Sequence, residues 1–591
     1  MRNQLLSDQR RLRLKLALQW LNASSSDLRQ LYTGELGPIH RDILASNYKD
    51  FPLSQDEKKL IGTQIALIKE DQQASYFMNR TLAAMLYLGP HQMPLEFDVE
   101  RLPDWFQLDY WHFLLSPPKM FHELDEVENY YCYFKELVEF LRQKIRLNPG
   151  SNLWRYIAII FSQKANFIPL YFSKERLADL NQKRAEIAEF ALNLSGFETD
   201  ILISPRLPDK GKIRLGIYAN SIAPYSEIYA TLPIFEHLDR QEFETFLYVR
   251  QSDNNPLERY VKQLVDRFLV LPENIKTCSN FIRSDNLDVL FFCNNLTAVT
   301  NQAFILANHR LARKQIVHFC QPATTGIKHI DYFLIGNMAH HEDGTAADNY
   351  SEKLVKLKGS GICFNLHTPS SETNTQISRE RLGVRNRATM FISGANFFKI
   401  IPELRYIWAK IVAAVPDSTL VLYPFGPAWS NSYPKYAFIN AIEDVFLKYH
   451  ISKERLIVLE PLPNRGNIIS LLQCADVYLD AVPYSGATSL LDPLDAGVPP
   501  VVMQGNKLRF NQGAAILKDL GVPEIVAKNG MEYMHLALRL AHDKAFRNRI
   551  SLAISTKMQG RPRFLNPKSY AKEISCALKN ILQSEPEFHA N

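Results

Sequence analysis

Apolar residues recur at every third or fourth position in Leu12–Leu21, Leu60–Ile68, Tyr76–Leu88 and Tyr133–Leu147. That spacing lines one face of an α-helix. Strand-like alternation is scarce before residue 203, so the pattern predicts an all-α N-terminal domain over 1–203. No clean repeat of the roughly 34-residue kind is present, and a regular helical solenoid is not expected. Trp105, Phe106, Tyr110, Trp111 and Phe113 form an aromatic cluster, read first as core and second as a groove for a peptide.

The pattern changes after Ser204–Lys212, a stretch whose Pro, Gly and charge mark a linker. Short apolar runs follow at Arg214–Ala219, Thr245–Val249, Leu287–Cys293, Gln315–Cys320 and Asp331–Ile335. Helical segments or loops separate them. Apolar strands alternating with helices predict a parallel sheet covered on both faces. The polar stretch Thr368–Ser378 interrupts the series and reads as an interdomain connection. The alternation resumes at Thr389–Ser393, Thr419–Tyr423, Leu456–Leu459, Asp476–Leu479 and Pro500–Met503. The expected organisation is α/β: a first parallel domain over 212–367, a second over 381–565 and a C-terminal helix within 566–591. A ligand then belongs in the cleft, at the carboxyl ends of the strands.

Composition sharpens this only a little. The 591 residues are 46% hydrophobic and carry a net charge of +6, which suits several cored domains and argues against a nucleic-acid coat. The seven cysteines are scattered without a CxxC pair, which suggests reduced thiols, a cytoplasmic setting and no structural zinc. The basic, amphipathic start lacks the unbroken apolar core of a signal peptide. No run of about 18 apolar residues is present to span a membrane.

Candidate chemistry clusters at predicted strand ends. Ala475–Val502 reads as a buried strand, a small-residue loop through Gly486, a helix opening at Thr488 or Ser489, and a second strand. The free N–H groups of such a helix start attract an anion. Asp492, one turn inside, could cap that turn or accept from a sugar hydroxyl. After Thr389–Ser393, Gly394 permits a tight turn that brings Asn396 and Lys399 to the strand edge. A fixed ammonium there would stabilise a leaving diphosphate; a solvated lysine is the other reading. In Glu460–Gly466, Leu462 and Pro463 offer backbone to a base edge, and Arg465 could reach a phosphate; a Pro-stiffened turn is the alternative. Thr324 and Thr325, in Gln321–Gly326, could bond a sugar or an acceptor peptide, or simply build a turn. His340 and His341 invite a metal reading that no third ligand supports, so no metal site is expected.

Together these segments resemble the family of protein O-GlcNAc transferases, SPINDLY proteins and bacterial cytoplasmic adhesin N-glycosyltransferases. The resemblance runs over roughly 212–580 and is carried by Arg313–Ile316 leading to Gln321–Thr325, Asp331–Tyr332 with Tyr350–Leu354, Asn396–Ile400, Ala475–Asp480, Gly486–Asp492 and Ala496–Pro499. It implies a GT-B fold: two Rossmann-like domains facing a cleft, the first on the acceptor side and the second binding a nucleotide-sugar, with the all-α domain before them. Residue by residue it implies Lys399 as the catalytic, phosphate-binding lysine and Asn396 as a sugar-donor contact. It sets Leu462 and Pro463 against uracil, Arg465 near a phosphate, and Gly486, Thr488, Ser489 and Asp492 around the phosphates and ribose or sugar. Ala487 stands where O-GlcNAc transferases carry a histidine, and Ala223–Tyr229 replaces a histidine-bearing loop, so Tyr225 or Glu227 is the candidate base, or no base is needed.

The expected activity is cytoplasmic, metal-independent transfer of a hexose or N-acetylhexosamine from a UDP-sugar to Asn or Ser/Thr of a protein. The UDP-sugar serves as co-substrate with no further cofactor, and an adhesin or pilin is the expected acceptor. A lipid or glycan acceptor, or a non-catalytic scaffold, are the alternatives.

Overall fold

The computed structural model describes residues 2–46, 49, 53–70, 76–203, 211–339, 349–366, 377–426 and 433–583, with only the backbone of 2–7 and 9. His340, His341 and most of the linkers Ser204–Lys212 and Thr368–Ser378 lie outside the described residues.

The described residues up to Leu194 fold as helices joined by loops. Glu126–Leu147 shows why: Tyr130, Phe134, Leu137, Leu141 and Ile145 fall on one face and all are buried. The aromatic cluster is core, with Phe106, Tyr110, Trp111 and Phe113 at 3% exposure or less.

Two parallel sheets follow. The first comprises β1 Ile213–Ala219, β2 Phe243–Val249, β3 Arg267–Val270, β4 Val289–Phe292, β5 Lys314–His318, β6 Tyr332–Gly336 and β7 Lys353–Leu357. Their order is β3-β2-β1-β4-β5-β6-β7. The second comprises β8 Thr389–Ser393, β9 Ser418–Leu422, β10 Leu456–Val458, β11 Val477–Leu479, β12 Pro500–Met503 and β13 Val526–Ala527, ordered β10-β9-β8-β11-β12-β13. The central strands are buried along nearly their whole length, because helices cover both faces and leave no polar side.

Three strands lacked an apolar run to betray them. β3, β7 and β13 are edge strands. β3 and β7 carry exposed positions, and β13 is two residues long. The C-terminal helix Pro567–Gln583 does not stay with the second sheet. It buries Tyr570, Ile574, Leu578 and Ile581 among Leu215, Ile217 and Leu247 of the first.

The helix Leu508–Asp519 bridges the two sheet domains. Asn511 Nδ2 donates to Met338 O and Ala339 O at 3.2 and 3.1 Å, and Gln512 Nε2 donates to Phe319 O at 3.2 Å. Ser360 N and Oγ both donate to Asp519 Oδ2 at 2.9 Å.

Candidate active site

β8 ends in a turn that only glycine permits. A Cβ on Gly394 would stand 2.3 Å from the Tyr423 ring. The chain then makes a 3-10 turn, Phe397–Lys399, which aims Lys399 at the loop after β11. Its Nζ donates to Ser485 O at 3.2 Å and lies 3.9 Å from the centre of the Tyr484 ring. Among the described residues no carboxylate comes within ion-pair distance of it. Burial lowers Lys399 to about 8, with the Asp480 charge pulling the other way.

The loop that receives the lysine is held by Asp480, which is 1% exposed. One carboxylate accepts Ser485 Oγ at 2.7 Å and Gly486 N at 3.0 and 3.1 Å. Burial raises this carboxyl to about 6 against the pull of Ser485 and Lys399. A Cβ on Gly486 would meet Ser489 Oγ at 2.4 Å and Asp480 Oδ1 at 2.9 Å, so the turn is closed to larger residues.

The helix Thr488–Asp495 opens three residues after Ser485, with Ala487 at its N-cap and no side-chain cap. That start lies three residues along the chain from the Ser485 carbonyl that Lys399 bonds. Two sources of positive potential thus follow neighbouring strands, the lysine after β8 and the helix start after β11. β11 pairs directly with β8, which explains the convergence.

The other predicted residues fall on the same edge with different partners. Asn396 lies beside the Tyr433 hydroxyl. Leu462 is half-buried and Pro463 exposed, on the loop after β10. β9 separates β10 from β8, so at the usual strand spacing this loop stands about 10 Å from the lysine loop. Arg465 opens the next helix, but its guanidinium is engaged. Its Nε meets Asp492 Oδ1 at 2.7 Å, and Nη2 meets Asp495. Arg465 thus ties the start of its own helix to the middle and end of helix Thr488–Asp495, and among the described residues only one Asp492 oxygen is hydrogen-bonded. Burial raises the Asp492 carboxyl, partly countered by Arg465.

Across the cleft, β1 leads to Tyr225 and Glu227 at the start of helix Ser226–His237. Tyr225 is 52% exposed. The Glu227 carboxyl is raised by burial, and its charge bears on the hydroxyl of Tyr484, the ring that covers Lys399. Glu227 therefore lies within electrostatic reach of the lysine loop.

The threonine loop serves the fold. Thr324 Oγ1 donates to Glu352 Oε2 at 2.6 Å, and Thr325 N and Oγ1 donate to Glu352 Oε1 at 2.7 and 2.5 Å. Both threonines are at most 2% exposed. The turn reading holds, and contact with sugar or peptide is withdrawn, because the hydroxyls are spent on a buried carboxylate. Asp480, Ser485 and Tyr484 are the residues that sequence reasoning missed as site members. The small-residue loop pointed to the place, but not to the acid six residues upstream that holds it.

Residues 367–574 match glycosyl transferase family 41. The chain is 29% identical over 306 residues to a probable UDP-N-acetylglucosamine–peptide N-acetylglucosaminyltransferase SPINDLY of Arabidopsis thaliana, covering 52% of this chain and 32% of that protein. The Solanum lycopersicum SPINDLY protein is 30% identical over 287 residues, covering 49% and 29%. The chain thus spans about a third of the length of the curated relatives it matches. Among solved structures, a Thermobaculum terrenum O-GlcNAc transferase mutant superposes with a TM-score of 0.60 at 20% identity, over 90% of this chain and 98% of that one. That likeness establishes a GT-B-type fold. No helix among the described residues is long and apolar enough to cross a membrane, and none of their His, Cys, Asp and Glu side chains group in threes as metal ligands.

Proposed function

From the match of residues 367–574 to glycosyl transferase family 41, we propose that the protein moves a hexose or N-acetylhexosamine from a UDP-sugar to an Asn or Ser/Thr side chain of a protein. The observation that carries this reading is the half-buried Lys399 ammonium, which forms no ion pair among the described residues, near the uncapped start of helix Thr488–Asp495. Such a cation lacks the counter-charge its burial calls for. The missing charge fits a diphosphate.

In the reaction the bond from the sugar C1 to the diphosphate oxygen breaks, and the bond from C1 to the acceptor atom forms. Negative charge grows on the diphosphate, where Lys399 and the first-turn N–H groups stabilise it more than in the ground state. The loop at Leu462 and Pro463, which follows a strand two places from β8, is suited to a nucleoside base. Asn396 and the free Asp492 oxygen are suited to hydroxyls of the ribose or sugar. Glu227 is the better candidate base than Tyr225: it faces Tyr484, and burial moves its carboxyl toward neutral pH. No step in this scheme calls on a metal. The activity named for the SPINDLY relatives, transfer of N-acetylglucosamine to peptide, supports the sugar class and the protein acceptor. A cytoplasmic setting belongs to this reading, supported by seven unpaired cysteines. The adhesin or pilin acceptor rests on the resemblance of Gln321–Thr325 and of the all-α domain to the adhesin-modifying members of the family.

The test is incubation of the full chain with UDP-sugars and co-expressed surface proteins, followed by intact mass. The expected result is a gain of one monosaccharide per modified site. UDP binding with neither hydrolysis nor transfer to any protein, lipid or glycan would instead mark a non-catalytic scaffold.

A further inference from the structure

Ser485, the residue whose carbonyl receives Lys399, is fixed by every polar atom it has. Its Oγ donates to Asp480 and accepts Gly513 N at 3.0 Å, and its N donates to Arg509 O at 3.1 Å. Arg509 is 3% exposed and makes no ion pair among the described residues. Instead its guanidinium spans three backbone carbonyls of the helical domain. Nε donates to Tyr171 O, and Nη2 donates to Ser173 O and Glu175 O, each at 2.9 Å. Burial lowers it to about 10.

A second route joins the same segment to the same lysine. The Tyr171 and Phe172 rings stand 5.8 and 6.1 Å from Tyr484, and Tyr484 covers the Lys399 ammonium. Phe172 also stands 6.1 Å from Phe398. The segment is anchored to the first sheet domain as well: Tyr171 Oη bonds Thr297 Oγ1 at 2.8 Å, and Phe167 N donates to Ala298 O at 2.8 Å.

We propose that Arg509 is a positioning residue, through which segment Phe167–Glu175 of the helical domain holds Ser485 and Tyr484 against Lys399 and so completes the sugar-donor site. The inference deepens the reading of Lys399 as the diphosphate cation and rests on it. A guanidinium is the group for this task, since its planar fork reaches three carbonyls with one rigid body and stays charged when buried. If Arg509 only glued domains together, its loss would change stability and leave the lysine unaltered.

The experiment titrates Lys399 directly. Lysines are reductively dimethylated with ¹³C-formaldehyde, and the Lys399 signal is assigned by its loss in Lys399→Arg. In the unsubstituted chain it should titrate near 8. Arg509→Met should shift that midpoint and lower UDP-sugar turnover by roughly 10²-fold, the scale of a reacting group displaced by about 1 Å, with KM for acceptor unchanged. Arg509→Lys, which keeps the charge but loses the fork, should give a smaller shift in the same direction and serves if the methionine variant does not fold. An unmoved Lys399 midpoint in a folded Arg509 variant overturns the proposal. A shifted midpoint in a chain that binds no UDP would keep the positioning link and overturn the donor-site reading instead.

Discussion

Lys399→Ala is expected to lower sugar transfer by roughly 10²-fold or more, with the fold and thermal midpoint little changed. The side chain makes one hydrogen bond, to Ser485 O, and no ion pair among the described residues, so the folded state loses little without it. The transition state loses a side-chain cation at the β8–β11 edge that no carboxylate among the described residues engages, whereas Arg465 is bound to Asp492 and Asp495. The effect should depend on pH. Lys399 sits at about 8 when no ligand is bound, and its charged form is the useful one. Activity should therefore be full below that value and fall as pH rises through it. Lys399→Arg, which cannot lose its proton in this range, should keep whatever activity it has above pH 8. Turnover of Lys399→Ala within threefold of the parent, with UDP-sugar saturating, would contradict this.

Asp480→Asn should act twice. The carboxylate accepts Ser485 Oγ and Gly486 N, and the amide can offer only one oxygen to both. A buried N–H or O–H left without its partner costs about 1–3 kcal/mol, so a lower thermal midpoint is expected. The second effect is electrostatic. The Asp480 charge raises Lys399, so its removal lets burial push the ammonium lower. One unit of that shift withdraws about tenfold of the charged form at high pH. The alkaline limb of the activity profile should move to lower pH in Asp480→Asn. Parallel profiles for the two proteins would show that the acid serves the loop alone.

The architecture was legible because burial on both faces writes continuous apolar runs. The run at Thr389–Ser393 coincides with β8, and the helix start expected at Thr488 or Ser489 is found at Thr488. Edge strands β3 and β7 were silent, since partial exposure dilutes the run. Lys399 and the Gly486–Thr488 loop could be placed together because strand ends set them there. Their partners could not. Whether Arg465 meets a phosphate or Asp492, and whether Thr325 meets a sugar or Glu352, depends on contacts between elements far apart in the chain. Nor does periodicity state that a helix at the C-terminus crosses back to the first sheet.

The most direct measurement is UDP binding by calorimetry at pH 8 in two buffers of different ionisation enthalpy. A diphosphate seated on Lys399 raises its proton affinity, so binding should take up a proton from buffer, and Lys399→Met should abolish that uptake and most of the affinity. No detectable binding of UDP, or binding whose heat and proton balance are the same in Lys399→Met, would contradict the meeting of this ammonium and the helix start on one diphosphate.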